Sequence, residues 1–451
     1  MKTCIVDSDF IVAHHIEIGR LIRKVRIEKG MTLKDLDHGE ASISTISNIE
    51  RGTGQHTPDR IKSLLEKVGI QLEELPYLLD QEKNHLKQVQ FHLDVSETLI
   101  SAIQYQEALQ ELEKVVIQDF HHQAPLLSFL RGKCMKGLGK LKQALKQFQH
   151  AIRLSKDVSK TESLETSFYG EMAICMYQQN DIEQAIEYTN QGINAFTKGG
   201  NRQDDIIKLY LNKSVFCYKL NHADGLGALD KVAEFLDQTS NIDIKLRYYW
   251  LKADQTRKAK QFEEALKYAN KGLKLAQLNK LFNMIVEFWI CLGSILASMR
   301  NLEEAKMWFQ IALKFQHDDI EPRSKASANL RLGALYSLQK VWEDAKSFLT
   351  TAQEMAITSN DAPKHFWSLL LLGDVEINTS NHSLAIQQYQ HAQELANKFS
   401  FTKFESMAWS RLANAWENVD SAKYQFCTSR YYELQQTISL KGDYYDDDEI
   451  F

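Results

Sequence analysis

A short phrase recurs at a fixed interval through most of the chain. Phe262-Glu263-Glu264-Ala265, Leu302-Glu303-Glu304-Ala305, Trp342-Glu343-Asp344-Ala345 and Ser383-Leu384-Ala385 place an alanine every forty residues. Few folds accept such a period, because a unit this short buries too little apolar surface alone and must stack on copies of itself. Upstream, Leu226, Ala185, Ala144 and Ala108 hold the same slot with small insertions or deletions, and Ala422 continues it downstream, giving nine units.

Further positions keep this register. Twelve residues before the slot stand Gly132, Ala173, Ser214, Ala253, Gly293, Gly333, Gly373 and Ser410; seven after it come Ala151, Gly192, Ala233, Gly272, Ala312, Ala352, Ala392 and Ser429. About one turn after the slot a bulky residue is usual, as in Phe148, Tyr188, Phe309, Leu349, Tyr389 and Phe426. Small residues let two helices touch, and a large ring one turn on fills the groove beside the contact. The arrangement resembles the tetratricopeptide repeat, whose period is about 34 residues. The longer interval predicts two or three extra residues in each helix. The expected fold is all-α: a right-handed tetratricopeptide-like solenoid of about nine helix pairs over residues 81–440, behind a separate head.

Composition agrees with a helical chain. Only five prolines occur in 451 residues, as expected where a missing N–H would break a helix. A formal charge of −5 gives no mandate for a protein that coats nucleic acid along its whole surface. No apolar run is long enough to cross a bilayer, and Met1 to His14 lacks the basic start, apolar stretch and cleavage site of a secretory signal, so no membrane partner and a cytoplasmic location are expected. Cys4, Cys134, Cys175, Cys217, Cys291 and Cys427 show no metal-binding spacing, and the four in the middle fall among apolar neighbours in first helices of repeats, as small core residues do. His14–His15 and His121–His122 are adjacent, which on a helix points them to different sides. With no phosphate-binding glycine loop, nucleophile elbow or HExxH pair, neither enzymatic activity nor a metal or other cofactor is expected.

Residues 15–80, after an N-terminal extension of residues 1–14, stand outside the repeat. Ile18, Leu21, Ile22 and Val25 mark an amphipathic helix closed by Gly30; Thr32 caps a second; and a turn at Gly39 to Ala41 leads to Ser42, which caps a third containing Ile46 and Ile49 and ending at Gly52. Thr57-Pro58 starts a fourth with Ile61, Leu64, Leu65 and Val68 inward, and a fifth is expected near Gln71 to Leu79. Ile18-Gly19-Arg20-Leu21-Ile22-Arg23-Lys24-Val25-Arg26, Lys29-Gly30-Met31-Thr32 and Ser44-Thr45-Ile46-Ser47-Asn48-Ile49-Glu50-Arg51-Gly52 together resemble the five-helix domain of the Xre and lambda-repressor class, a helix-turn-helix fold. The resemblance implies that the third helix enters the DNA major groove, with Ser42, Ile43, Ser44, Ser47 and Asn48 facing base edges or phosphates. It also implies that Arg26 and Glu50 tie the first helix to the third. Asn48 has the chemistry to bond the N6 and N7 edge of adenine. Two departures weaken the electrostatic grip: Leu33 stands where the class often has a phosphate-binding glutamine, and Gln55 and His56 where cations are common. Residues 15–70 carry ten Lys and Arg against eight Asp and Glu, so a dimer is expected to be needed on double-stranded DNA.

A repressor-like head before such a body resembles the RRNPP family of bacterial receptors for secreted signalling peptides. That resemblance implies a quorum-sensing transcription regulator, a short signalling peptide on the concave face and a homodimer or peptide-dependent oligomer. Headless relatives act on sporulation response regulators, so capture of a response regulator, with a structural or secondary head, is the alternative. An extended peptide needs donors and acceptors along its path. Counting back from the alanine slot, the inner-wall positions hold Asn212, Arg247, Asp254, Glu287, Ser294, Arg331, Trp367, Asp374 and Asn378. Asn212 takes the slot where relatives place a backbone-clamping asparagine, and Arg331 fills it further along. Tyr248, Tyr249, Trp250, Trp289 and Trp367 either floor a pocket or pack between hairpins. The tail, residues 441–451, is acidic and aromatic: a frayed terminus or an autoinhibitory strand.

Overall fold

The computed structural model describes residues 6–37, 41–54, 56–155, 164–179, 181–196, 203–219 and 224–441. The described residues form helices α1 to α23 and no strand, in two compact units, residues 1–154 and 155–451. The turn expected at residues 39–40, Gln55, Cys4 and the acidic tail from residue 442 lie outside the described residues.

In the first unit, α1 (Ser8–Ala13), α2 (His15–Glu28), α3 (Leu33–Leu36), α4 (Ile43–Arg51) and α5 (Pro58–Lys67) pack around Ile18, Ile22, Leu36, Ile46, Ile49, Leu64 and Leu65. The ends fall where the side chains dictate. Thr32 and Asp35 form a capping box at α3, the Ser42 hydroxyl accepts from Thr45 N–H at α4, and Gly52 closes α4 at φ 65°, a conformation that suits a residue without Cβ. Gly19 allows α2 and α4 to touch, since a Cβ there would lie 2.0 Å from the Ile49 carbonyl oxygen. Two expectations change. The extension before residue 15 contains α1, which buries Ile11 in the same core. The fifth helix is α6 (Leu75–Ser101), which runs unbroken across the expected boundary at residue 80 because no glycine or proline follows Pro76 within it.

The body is a run of hairpins: α6 with α7 (Tyr105–Glu113) and α8 (Ala124–Gly137) with α9 (Leu141–Ser155), where the Phe148 ring lies against Gly132, and, in the second unit, α10 (Glu165–Gln178) with α11 (Ile182–Ala195) and α12 (Gln203–Lys219) with α13 (Asp224–Phe235). Five more follow: α14 (Ile242–Lys258) with α15 (Phe262–Leu278), α16 (Phe282–Ser298) with α17 (Leu302–Lys314), α18 (Pro322–Leu338) with α19 (Trp342–Thr358), α20 (Ala362–Asn378) with α21 (His382–Lys398), and α22 (Thr402–Trp416) with α23 (Ser421–Lys441). These are the nine expected pairs. From α14 to α21 the forty-residue period resolves into halves of twenty, a 17-residue helix and a three-residue turn, with only α17 shorter, at 13 residues. Lys260, Lys280, Arg300, Lys340, Asn360, Ser380 and Ser400 each take a positive φ in these turns. Each turn ends its helix by the same pair of bonds, for example Lys260 N–H to Arg257 O and Gln261 N–H to Thr256 O.

The small residues sit at the helix contacts. Ala265, Ala305, Ala345 and Ala385 are fully buried, and a Cβ on Gly293, Gly333 or Gly373 would come within 2.5, 2.5 or 2.3 Å of Phe309, Leu349 or Tyr389. Two units depart from the expected register. In α13 Leu226 and Ala233 are exposed while Gly225 and Val232 are buried, so the slot is Gly225, forty residues before Ala265. In α23 Ala422 and Phe426 are exposed and Cys427 and Ile438 are buried instead, because no further hairpin follows within the described residues to set the register. Cys134, Cys175, Cys217 and Cys291 are buried, and burial pushes the Cys134 thiol up to about 11. His121 and His122 also differ from expectation: they lie in the loop before α8, where the backbone turns their rings into a stack with centroids 4.5 Å apart.

Candidate functional site

Within the second unit the first helices of the pairs make the inner wall. Among the described residues, α10, α12, α14, α16, α18 and α20 each touch the next first helix in the series, whereas no comparable packing joins the second helices. A stack that is close on one side and open on the other curves towards the close side.

Polar side chains stitch this wall together. The Arg247 guanidinium donates to Asn212 Oδ1 at 2.9 Å and Gln255 Nε2 to Ser214 Oγ at 2.6 Å, both joining α12 to α14. Arg257 Nη1 donates to Ser298 Oγ at 3.2 Å, joining α14 to α16. Arg331 Nε donates to Ser294 Oγ at 2.8 Å, and the Ser324 hydroxyl to Glu287 Oε1, both joining α16 to α18. Arg411 Nε donates to Asp374 Oδ1 at 2.9 Å, joining α20 to α22.

The middle of the wall is a charged cluster. Asp254 accepts from Arg257 at 2.9 Å and from Lys258 at 3.2 Å, and the Lys258 ammonium sits 3.9 Å from the centre of the Tyr218 ring. Burial pushes the Asp254 carboxyl up, but Lys258 and Arg257 outweigh it and hold its pKa below the usual value. For Arg331, burial and the nearby Arg257 charge lower the pKa, against Glu287, Asp254 and Cys291. Burial drives the Cys291 thiol up to about 12, so the free side chain is a protonated thiol at neutral pH. Asp254, Glu287, Ser294 and Arg331 thus come together over three consecutive repeats, with Asn212 and Arg247 paired one repeat earlier.

Asp374 and Asn378 belong to a second place, a cavity of about 630 Å³ towards the C-terminal ends of α18, α20 and α22. The Tyr389 hydroxyl donates to Asp374 Oδ1 at 2.7 Å, and Asn378 Nδ2 donates to the Asp374 carbonyl at 2.8 Å. Trp367 joins neither place and is a correction to the expected set. It is 8% exposed and packs edge-on against Phe366 and Phe404, because an indole here fills the space between α20 and α22. Tyr248 is likewise core, and Trp289 packs against Phe315. Arg257, Lys258, Ser298, Arg300, Arg411 and Asn414 were not among the expected residues. The signal that finds most of the polar bridges is spacing: apart from Asn212–Arg247, 35 apart, the bonds named between first helices join residues 37 or 41 apart, as in Ser294–Arg331, Asp374–Arg411 and Arg257–Ser298.

In the head, Ser42, Ile43, Ser44 and Asn48 are exposed on α4, and Ser47 is half-buried beside them. Below that face Arg26 Nε and Nη2 hold Glu50 Oε1 and Oε2 at 2.6 and 2.8 Å, and Arg26 Nη1 donates to the Met31 carbonyl. Glu50 is buried and Arg26 is 11% exposed, so the pair fixes how α2 and α4 meet. Leu33 packs against the head core rather than facing outward as a polar residue would.

No protein-family model and no curated protein matches the chain by sequence. Solved structures do resemble it. A Rap protein complexed with competence and sporulation factor matches with TM-score 0.54 at 12% identity, over 79% of this chain and 99% of that one. The apo form of the quorum sensor NprR from B. thuringiensis matches with TM-score 0.55 at 17% identity, over 72% and 93%, and apo RapI with 0.55 at 14%, over 79% and 99%. At such identities the likeness shows the fold: this chain is built as a tetratricopeptide-like helical solenoid of the kind seen in Rap and NprR.

Proposed function

We propose that this chain is a peptide-controlled transcription regulator of the RRNPP type. Residues 81–440 receive a short signalling peptide on the inner wall, and the head, residues 15–80, binds double-stranded DNA as a helix-turn-helix, in a homodimer or peptide-dependent oligomer. The observation that carries the reading is the polar inner wall, where Asp254, Glu287, Ser294 and Arg331 converge over three repeats and Asn212 and Arg247 extend the row. An extended peptide requires this kind of surface, since its amides and carbonyls need partners wherever they leave water. The likeness to a Rap complex with a peptide factor and to the quorum sensor NprR supports the ligand class. The exposed Ser42, Ile43, Ser44 and Asn48 face, fixed by Arg26 and Glu50, supports the head's role.

The test is calorimetric titration of the full chain with fractionated peptides secreted by its source organism. Submicromolar binding that weakens at least tenfold in Asn212→Ala and Arg331→Ala supports the groove, while binding unchanged in both folded variants excludes those residues as clamps. Selection on random duplexes tests the head, and failure to enrich any motif removes DNA from the reading.

A second reading, capture of a response regulator by the repeats, is favoured by the head's weak cation excess and by Leu33. It gains support if the folded chain enriches no DNA motif but retards a purified response regulator on a sizing column.

A further inference from the structure

The cavity near the ends of α18, α20 and α22 has its own chemistry. We propose that it holds a carboxylate of the ligand between Arg300 and Arg411, either the peptide's terminal carboxylate or an acidic side chain; this rests on the peptide reading above. Its walls are largely apolar, from Ala334, Leu338, Trp342, Leu371 and Ile377, so a carboxylate there finds few polar partners other than the arginines. Asp374 is the single carboxylate among the lining residues, and its Oδ1 already accepts from both Tyr389 and Arg411. That bond uses Arg411 Nε, and the two Nη groups remain for a second acceptor on a side chain that is 41% exposed. Arg300 has no hydrogen bond from its guanidinium and no ion pair among the described residues, and the positive φ at its turn places it at the end of α16. Two arginines and one carboxylate therefore line the cavity, with Arg300 exposed at its edge.

Helix ends oppose this choice of ligand. Ser337, Leu338, Asn378, Asn414 and Ala415 belong to last turns, where the macrodipole presents a partial negative charge. The opposing field is blunted where carbonyls are already bonded, as Ser337 O is to Lys340 N–H and Ile377 O to Ser380 N–H. A whole charge on each arginine, donating through a planar fork that matches a carboxylate, outweighs half charges so satisfied.

The experiment uses the full chain and a pool of random synthetic hexapeptides made in two forms, free acid and C-terminal amide. Peptides retained by the protein are sequenced by mass spectrometry. A preference of about tenfold or more for the free acid assigns the cavity to the terminal carboxylate; enrichment of Asp or Glu in both forms assigns it to a side chain. Either preference must fall in Arg300→Gln, which breaks no internal contact, and in Arg411→Gln with folding checked by circular dichroism, and partly survive in Arg300→Lys. Retention with neither preference, or a preference unchanged in the folded variants, overturns the proposal while leaving the groove reading intact. Retention of no peptide by the native protein removes both.

Discussion

Arg331 in α18 donates its Nε hydrogen to Ser294 Oγ in α16 at 2.8 Å, while the same hydroxyl donates to the Ile290 carbonyl at 2.9 Å. The serine is thus both acceptor for the next repeat and donor within its own helix. Ser294→Ala leaves a charged donor short of a partner in a confined place, which should lower the unfolding free energy by about 1–3 kcal/mol. Adding Arg331→Met should cost less than the sum of the single changes in urea titrations. Strict additivity would show that the bond carries no coupling.

Arg26 and Glu50 make a closed, two-pronged pair. Removing one partner, as in Glu50→Gln or Arg26→Met, should cost about 3–5 kcal/mol because the survivor stays buried. The double variant Arg26→Met with Glu50→Leu should recover part of that loss. Small and equal melting shifts for both single variants would mean the pair is dispensable.

Two glycines separate close approach from freedom. In Gly293→Ala the new methyl meets Phe309 at 2.5 Å and should destabilise by about 1–3 kcal/mol. Gly227→Ala meets nothing within 4 Å on an exposed part of α13 and should stabilise by about 0.5–1 kcal/mol through helix propensity. Denaturant midpoints that move in the same direction for both would contradict the packing described.

The repeat was legible because a close helix crossing admits only a small residue, so Ala265, Ala305, Ala345 and Ala385 repeat without drift. Register was lost at α13, where Gly225 does the work of an alanine and Leu226 beside it looks more like a core residue than it is. Ser42, Thr32 and Gly52 announced the head's helix ends through cap chemistry. The length of α6 carried no such mark, since a helix that continues looks like one that stops until a breaker appears. In the site, Ser294 and Arg331 could be named from the repeat, but their bond could not, because a spacing of 37 depends on how two helices cross. Trp367 misled for a related reason: an indole on a first helix reads the same whether it faces the groove or the adjacent hairpin.

Asn48 is exposed on α4, with the amide free of strong contacts apart from Thr53 at 3.5 Å. If the head reads DNA, Asn48→Ala should remove about 1–3 kcal/mol of discrimination at one base pair and leave the others intact. Competition binding with single-base variants of a selected duplex measures this. A uniform loss at all positions would assign Asn48 to phosphate rather than base.

His121 and His122 give the fold a pH dependence. Burial is the largest cause that brings them down to about 4 and about 3, with Glu82 opposing at His121 and His85, Arg20 and Lys24 adding to the depression there; Arg20 and His121 act on His122. The unfolded chain therefore binds more protons below the ordinary histidine pKa of about 6.5, so stability is complete above that value and declines as pH falls towards 4. Between pH 6.5 and 5, before most carboxylates titrate, the melting temperature of the double variant His121→Gln with His122→Gln should fall less steeply than that of the native chain. Parallel slopes would place the sensitivity elsewhere.

The contact between successive first helices, without its counterpart among second helices, makes the inner wall a pivot line. Motion of one hairpin against the next turns about that line, so displacements are smallest where Arg331 meets Ser294 and grow towards the outer helices. A ligand seated on the pivot needs to shift atoms by only a fraction of an ångström to swing the rim much further. If the groove takes the proposed peptide, the solenoid would magnify what happens there, and the half-period of twenty residues would give each step from α14 to α21 nearly the same lever arm.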